Sequence, residues 1–158
     1  MKTLIVFATR YGTTGECASL LADALQGDVS LQNLAENPVV DLSAYETVVV
    51  GSPIYAGKIN KRVKRFCMDH TATLLEKRLA LFTCDMEEGE GSIKQLEHTY
   101  PPALVSHALV SNSFGGQFLF SHMGWFTKKM ISLMSKSDED VKRIQYDAIE
   151  KFAKVLND

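Results

Sequence analysis

Several things are scarce in this chain. Its 158 residues include 3 cysteines, 4 prolines and 1 tryptophan. The cysteines, Cys17, Cys67 and Cys84, are odd in number and scattered. That pattern excludes a disulfide framework and points to free thiols in a reducing compartment. No run of roughly 18 apolar residues occurs, so no bilayer-spanning helix is expected. No sign of charge dominates: 17 basic residues face 19 acidic ones, a net charge of -2. A dedicated nucleic-acid binder would show a basic excess, and that class is excluded. His70, His98, His107 and His122 are too dispersed for a catalytic triad or a zinc motif, and no metal site is expected. Internal repeats, low-complexity tracts and linkers are missing. Met1-Lys2-Thr3 and the apolar run ending at Ala8 are too lightly charged and too short for a secretory signal, so a cytoplasmic protein is expected.

What is present is a globular composition. Hydrophobic residues make up 46% and charged residues 23%, which supports a packed core, and the length suits a single domain over 1–158. Short apolar runs predict strands at 4–8, 47–50, 79–83 and 104–111, and the apolar-polar alternation of 29–34 predicts a half-exposed edge strand. Helical spacing predicts helices at 14–26, 59–70, 90–98, 123–135 and 138–156. The last carries a stripe of Val141, Ile144, Ala148, Ile149, Phe152, Val155 and Leu156, with Asp138 as its cap. Apolar strands alternating with helices predict an α/β fold, a parallel sheet covered on both faces. Such sheets bind ligands at the carboxyl ends of their strands. The loops to search are therefore 9–14, 51–58, 83–91 and 112–122.

The first strand runs into Thr9-Arg10-Tyr11-Gly12-Thr13-Thr14, and a helix follows. Hydroxyls and the free amides of a helix N-terminus make an anion site without a metal. The loop lacks the GxxxxGK[ST] of a nucleoside-triphosphate loop and the GxGxxG of a dinucleotide fold. A plain strand-to-helix turn is the alternative. Ser52-Pro53-Ile54-Tyr55-Ala56-Gly57 offers an aromatic face and a glycine able to come close to a ligand, or a simple turn with a surface tyrosine. Thr83-Cys84-Asp85-Met86 opens an acidic loop, whose Glu87, Glu88 and Glu90 read best as solvated. Cys84 reads as a small buried hydrophobe rather than a redox thiol.

Residues 5–21 resemble the signature of the flavodoxin family. Ile5, Val6 and Phe7 match its strand, Thr9 its first hydroxyl, Gly12 its small residue and Thr14 its threonine. Ala18 and Leu21 match its helix positions. The segment from Gly51 to Gly57 resembles the family's GSPxYxG loop. This resemblance implies a flavodoxin-like doubly wound, five-stranded parallel sheet of order 2-1-3-4-5 and one non-covalent FMN. It implies that Thr9, Gly12, Thr13 and Thr14 hold the phosphate, with Arg10 and Tyr11 in the same loop. Ser52, Pro53, Ile54, Tyr55, Ala56 and Gly57 would lie along the flavin ring, and Thr83, Cys84, Asp85 and Met86 on its other side. The family often has a stacking aromatic in this last loop. None stands between 83 and 91, so the ring's outer face is expected to be open or covered by Met86.

Two segments depart from small flavodoxin shuttles. Those are typically acidic, whereas Lys58, Lys61, Arg62, Lys64 and Arg65 cluster just after the expected ring loop. Either an anionic partner or an ordinary solvated helix face explains them. Residues 114–136 are rich in Phe, Met and Trp. Together with MKTLIVFATRYGTT they resemble the menaquinone-dependent protoporphyrinogen oxidase family, whose insert between strands four and five is longer than here. By this resemblance the chain is an FMN-dependent oxidoreductase passing electrons from a porphyrinogen-like organic substrate to a quinone or a redox partner protein. Residues 118–136 then either cover the sheet or touch a membrane surface or quinone through Trp125, Phe126, Lys128 and Lys129. A flavodoxin-type electron carrier is the alternative. A phosphorylation receiver would need acidic residues where Thr9-Arg10 and Ser52-Pro53 stand.

Overall fold

The computed structural model describes residues 1–9, 12–85, 90–118 and 141–158. The elements in chain order are β1 (Lys2–Phe7), α1 (Thr13–Ala24), β2 (Asp28–Asn33), β3 (Thr47–Tyr55) and β4 (Lys58–Ile59). There follow α2 (Lys61–Asp69), α3 (Thr71–Leu75), β5 (Arg78–Cys84), α4 (Glu90–Thr99) and α5 (Pro102–His107). The chain closes with β6 (Val110–Ser113), β7 (Gly115–Phe118), β8 (Val141–Ile144) and α6 (Tyr146–Asn157).

The sheet runs β2-β1-β3-β5-β6, with every neighbour pair parallel. Counting only these strands, this is the expected order 2-1-3-4-5. Period-two alternation sends successive residues of each strand to opposite faces. Leu4, Val6, Val48, Val50, Leu79 and Leu81 share one core with Val63, Phe66 and Cys67 of α2, Leu74 of α3, Leu96 of α4 and Leu104 of α5. Ile5, Phe7, Val49, Ala80, Phe82 and Cys84 share the other with Cys17, Ala18 and Leu21 of α1 and Ile149, Phe152 and Leu156 of α6. Helices thus cover both faces, which explains why the central strands are apolar throughout rather than alternating. At the far end from the loops, Asn157 ties α6 to α1, accepting from the Gln26 amide at 2.9 Å and donating to the Ala24 carbonyl at 3.1 Å.

Four expectations are corrected. Residues 104–111 do not form one strand: α5 starts behind Pro101-Pro102 and only 110–113 pair with β5. Proline at the first helical position is preorganised for a helix and gives up an amide with no partner there anyway. The strand expected to close at Gly51 continues to Tyr55 and folds back on β4. The helix expected from Ile59 begins at Lys61, where the Asn60 side chain caps it by accepting from the Arg62 amide at 2.8 Å. The helix expected over 138–156 begins at Tyr146; its first four described residues instead form β8, antiparallel to β7 within the expected 112–122 loop. The helix expected at 123–135 lies outside the described residues, as does Asp138. Among the described residues no helix is long and apolar enough to cross a membrane.

Candidate functional site

Register places three loops at one edge of the sheet. Phe7, the last residue of β1, pairs with Gly51, and Cys84, the last of β5, pairs with Pro53, so the loops after β1 and β5 emerge beside the 51–55 end of β3. The segments after them carry the residues singled out in the sequence.

After β1, the Gly12 amide donates to Thr9 Oγ1 at 2.9 Å. Gly12 has φ 92°, a left-handed conformation that costs glycine little, and a β-carbon there would meet nothing within 4 Å. Gly12 precedes α1, and its carbonyl accepts from the Glu16 amide at 2.9 Å. No side chain caps α1. First-turn amides lack intrahelical acceptors and carry the positive end of the helix dipole. Thr13 and Thr14 are both buried in this first turn. Thr14 Oγ1 is buried and has no hydrogen-bond partner. A buried hydroxyl left without a partner costs about 1–3 kcal/mol, and an oxyanion seated on the helix N-terminus would satisfy it. The donor set here, hydroxyls and amides with no metal-binding cluster among the described residues, fits a phosphomonoester. Arg10 and Tyr11 lie outside the described residues.

After Gly51, the loop divides into a buried stem and an exposed tip. The buried Ser52 hydroxyl accepts from the Asn60 amide at 2.8 Å and donates to the Pro53 carbonyl at 2.8 Å. This ties β3 to the start of α2. Pro53 and Ile54 are buried too, the latter opposite Ile59. The tip is a two-residue hairpin between Tyr55 and Lys58, with positive φ at both Ala56 (50°) and Gly57 (72°). Paired positive φ values are what the twist of a tight hairpin demands. Tyr55 is 38% exposed, and a β-carbon on Gly57 would meet nothing within 4 Å. Of the six residues assigned to this loop, Tyr55, Ala56 and Gly57 are exposed at the tip, while Ser52, Pro53 and Ile54 are buried in the stem beneath them.

After β5, Asp85 is buried in a set of hydroxyls. It accepts from Thr83 Oγ1 at 3.2 Å, Ser92 Oγ at 3.1 Å and Ser113 Oγ at 3.1 Å. Its amide donates to the Gly115 carbonyl at 3.0 Å. The Asp85 carboxylate thus joins the ends of β5 and β6 to α4, and its backbone amide adds β7. Ser92 and Ser113 were not among the sequence-derived candidates; only the fold brings them to Asp85. Cys84 lies under α1 beside Cys17. That neighbouring thiol, with burial, pushes the Cys84 thiol well above its ordinary range; Asp85 adds to the effect and Thr14 opposes it without reaching hydrogen-bond geometry. Cys84 is thus buried, as expected from the sequence. Met86, Glu87 and Glu88 lie outside the described residues.

The geometry is a helix N-terminus with an orphan hydroxyl, flanked by an exposed aromatic hairpin and a rigid strand end. The sequence profile of the flavodoxin domain matches residues 4–145. The chain is 34% identical over 152 residues to protoporphyrinogen IX dehydrogenase (quinone) of Escherichia coli strain K12, covering 86% of this chain and 80% of that one. Among solved structures it resembles a short-chain flavodoxin associated with a non-canonical PDU bacterial microcompartment, at TM-score 0.65 and 17% identity, over 99% of this chain and 96% of that one. It also resembles a Streptococcus pneumoniae flavodoxin, at TM-score 0.58 and 19% identity, over 99% and 97% of the two chains. From the profile match and the curated relative together, the chain belongs to the flavodoxin-domain family.

Proposed function

We propose that this protein is an FMN-dependent oxidoreductase that moves electrons from a porphyrinogen-like organic substrate to a quinone or protein acceptor. The observation that carries the reading is the buried, unpartnered Thr14 hydroxyl at the start of α1. The activity for which the 34%-identical Escherichia coli relative is named supports the choice of substrate and acceptor. The three buried free cysteines fit a reducing cytoplasm.

When bound, FMN supplies one- and two-electron chemistry that no protein side chain provides. The chain's own residues do the positioning. Thr9, Gly12, Thr13 and Thr14 would hold the phosphate through hydroxyls and the α1 amides, with Arg10 and Tyr11 in the same loop. Tyr55, Ala56 and Gly57 would meet the ring from the hairpin, and Thr83, Cys84 and Asp85 would bound it from β5, with Met86 beyond them. Asp85 acts here by fixing the backbone: its oxygens are engaged by three hydroxyls.

The test is direct. The purified chain is titrated with FMN and its visible spectrum recorded, then offered protoporphyrinogen IX with menaquinone while porphyrin fluorescence is followed. Bound-flavin bands and quinone-dependent fluorescence are expected. A preparation that ignores excess FMN ends the proposal. Bound flavin without porphyrin formation replaces the enzyme by an electron carrier.

A further inference from the structure

Among the described residues, the strongest feature that FMN binding does not use is a cluster of charge. Lys58, Lys61, Arg62, Lys64 and Arg65 are all exposed. Arg65 meets Asp69 across one helical turn at 3.6 Å, both side chains well solvated. Among the described residues no acidic group lies within ion-pair distance of the other four. The chain as a whole carries a net charge of -2, so this patch opposes the sign of the molecule.

Its position is costly to the fold. Lys61 and Arg62 open α2, whose first turn holds no acidic residue. Cations at a helix N-terminus face the positive end of the dipole, where carboxylates are the stabilising choice. The inner face of α2, Val63, Phe66 and Cys67, is buried on the sheet and needs none of these charges. Local stability therefore does not account for them. The patch also adjoins the Tyr55–Lys58 hairpin, the exposed tip of the candidate site.

We infer that the hairpin tip and the outer face of α2 form a docking surface for an acidic electron-transfer protein. The charges spread over a hairpin end and more than one helical turn, which suits several acidic side chains rather than one small anion. Opposite patches steer encounter and fix orientation. A lipid surface is the poorer occupant, because the apolar face of α2 is already buried and, among the described residues of the hairpin and α2, the large apolar side chains that stand out beside the cations are two, Met68 at 63% and Tyr55 at 38% exposed. The placement of the surface beside a flavin rests on the proposed function; the charge argument does not.

The experiment uses the isotope-labelled full chain, with and without FMN, and a small acidic [2Fe–2S] ferredoxin as probe. Amide shifts and paramagnetic broadening confined to residues 55–69 are expected. Raising ionic strength from about 10 mM to about 100 mM, which shortens the Debye length from about 30 Å to about 10 Å, should weaken binding at least roughly tenfold. The K61E/R62E variant should lose the probe while its thermal midpoint stays level or rises. K64Q/R65Q, on the second turn, should weaken binding several-fold with the fold intact. Parent-level binding by both variants, or shifts elsewhere, overturns the inference. Binding to phosphatidylglycerol vesicles with no ferredoxin response overturns it in favour of a membrane. The FMN bands of the same samples keep the two readings apart: a chain that docks the probe without taking up FMN sinks the proposed function alone.

Discussion

The ring of Phe82 fills the space that a β-carbon on Gly51 would need: such an atom would lie 2.0 Å from Phe82 Cζ. The two residues are register partners on β3 and β5. Phe82 then stacks on Phe114, with centroids 4.6 Å apart and planes 20° apart, and meets Phe152 of α6 edge-on at 6.4 Å. On the same pair of strands, the buried Tyr100 hydroxyl donates toward the Val50 and Phe82 carbonyls at 3.3 and 2.9 Å. The floor beneath the three loops is therefore packed without slack. Gly51→Ala should destabilise the chain by about 1–3 kcal/mol, the usual cost of forcing extra volume into a packed core. Urea unfolding reads this, and a G51A/F82L double variant should recover much of the loss. An unchanged midpoint in G51A would refute the packing argument.

Thr14→Val separates binding from stability. Because Thr14 Oγ1 has no partner in the folded chain, replacing it with a methyl removes a desolvation penalty and no hydrogen bond. The flavin-free variant should be as stable as the parent, or slightly more so. Its FMN affinity should fall by about tenfold or more, since a bond to a charged acceptor is worth about 1.5–3 kcal/mol. Titration by flavin fluorescence quenching checks the second half and thermal unfolding the first. Equal affinity in both proteins would remove Thr14 from the phosphate site.

The contrast between these two positions shows what a sequence reveals. The Thr9–Thr14 loop was legible because its hydroxyls sit together in the chain, directly between an apolar run and a helical stripe. The central strands were legible because burial on both faces leaves unbroken apolar runs at 4–8, 47–50 and 79–83. Gly51 looked like a strand end because glycine usually punctuates; only tertiary packing shows that it makes room for a ring. Leu104 and Val110 looked continuous, yet one faces the core from α5 and the other pairs through β6. Val141 and Ile144 fit a helical stripe by spacing, while pairing with β7 decided for a strand. Ser92 and Ser113 carried no signal at all, since their meeting at Asp85 spans 28 residues.

That meeting gives a third prediction. Asp85→Ala would leave the buried hydroxyls of Thr83, Ser92 and Ser113 without their shared acceptor. At about 1–3 kcal/mol for each unsatisfied buried group, and with incomplete additivity, the loss should be about 3 kcal/mol or more. Ser92→Ala should cost about 1 kcal/mol, because it removes a donor and leaves other donors on the carboxylate. Denaturant unfolding of the flavin-free proteins measures both. A loss below about 1 kcal/mol in D85A would mean that the carboxylate does not hold these elements together.

The last prediction concerns alkaline pH. Burial pushes the Cys67 thiol on α2 from its reference 9.0 up to about 12. Cys84 is raised by its neighbour Cys17 and by burial, and the Tyr100 hydroxyl is raised by burial above its reference 10.0. In each case the folded protein holds a proton that the unfolded chain releases. Below pH 9 both states are protonated at these sites and their contribution to stability is fully present. As pH climbs past the unfolded thiol value, the unfolded state loses protons that the native state keeps, so stability must fall, by up to about 1.4 kcal/mol per pH unit for each such group. Tyr100 joins above pH 10, its unfolded value. The urea midpoint should be level with respect to these groups up to about pH 8.5 and decline steadily above it. The Cys67 and Cys84 thiols should resist iodoacetamide in the native protein and react after unfolding, because the thiolate is the nucleophile and is suppressed at both sites. A midpoint that stays flat past about pH 10, or rapid native labelling of Cys67, would show that these thiols are not buried as the packing of α2 and β5 requires.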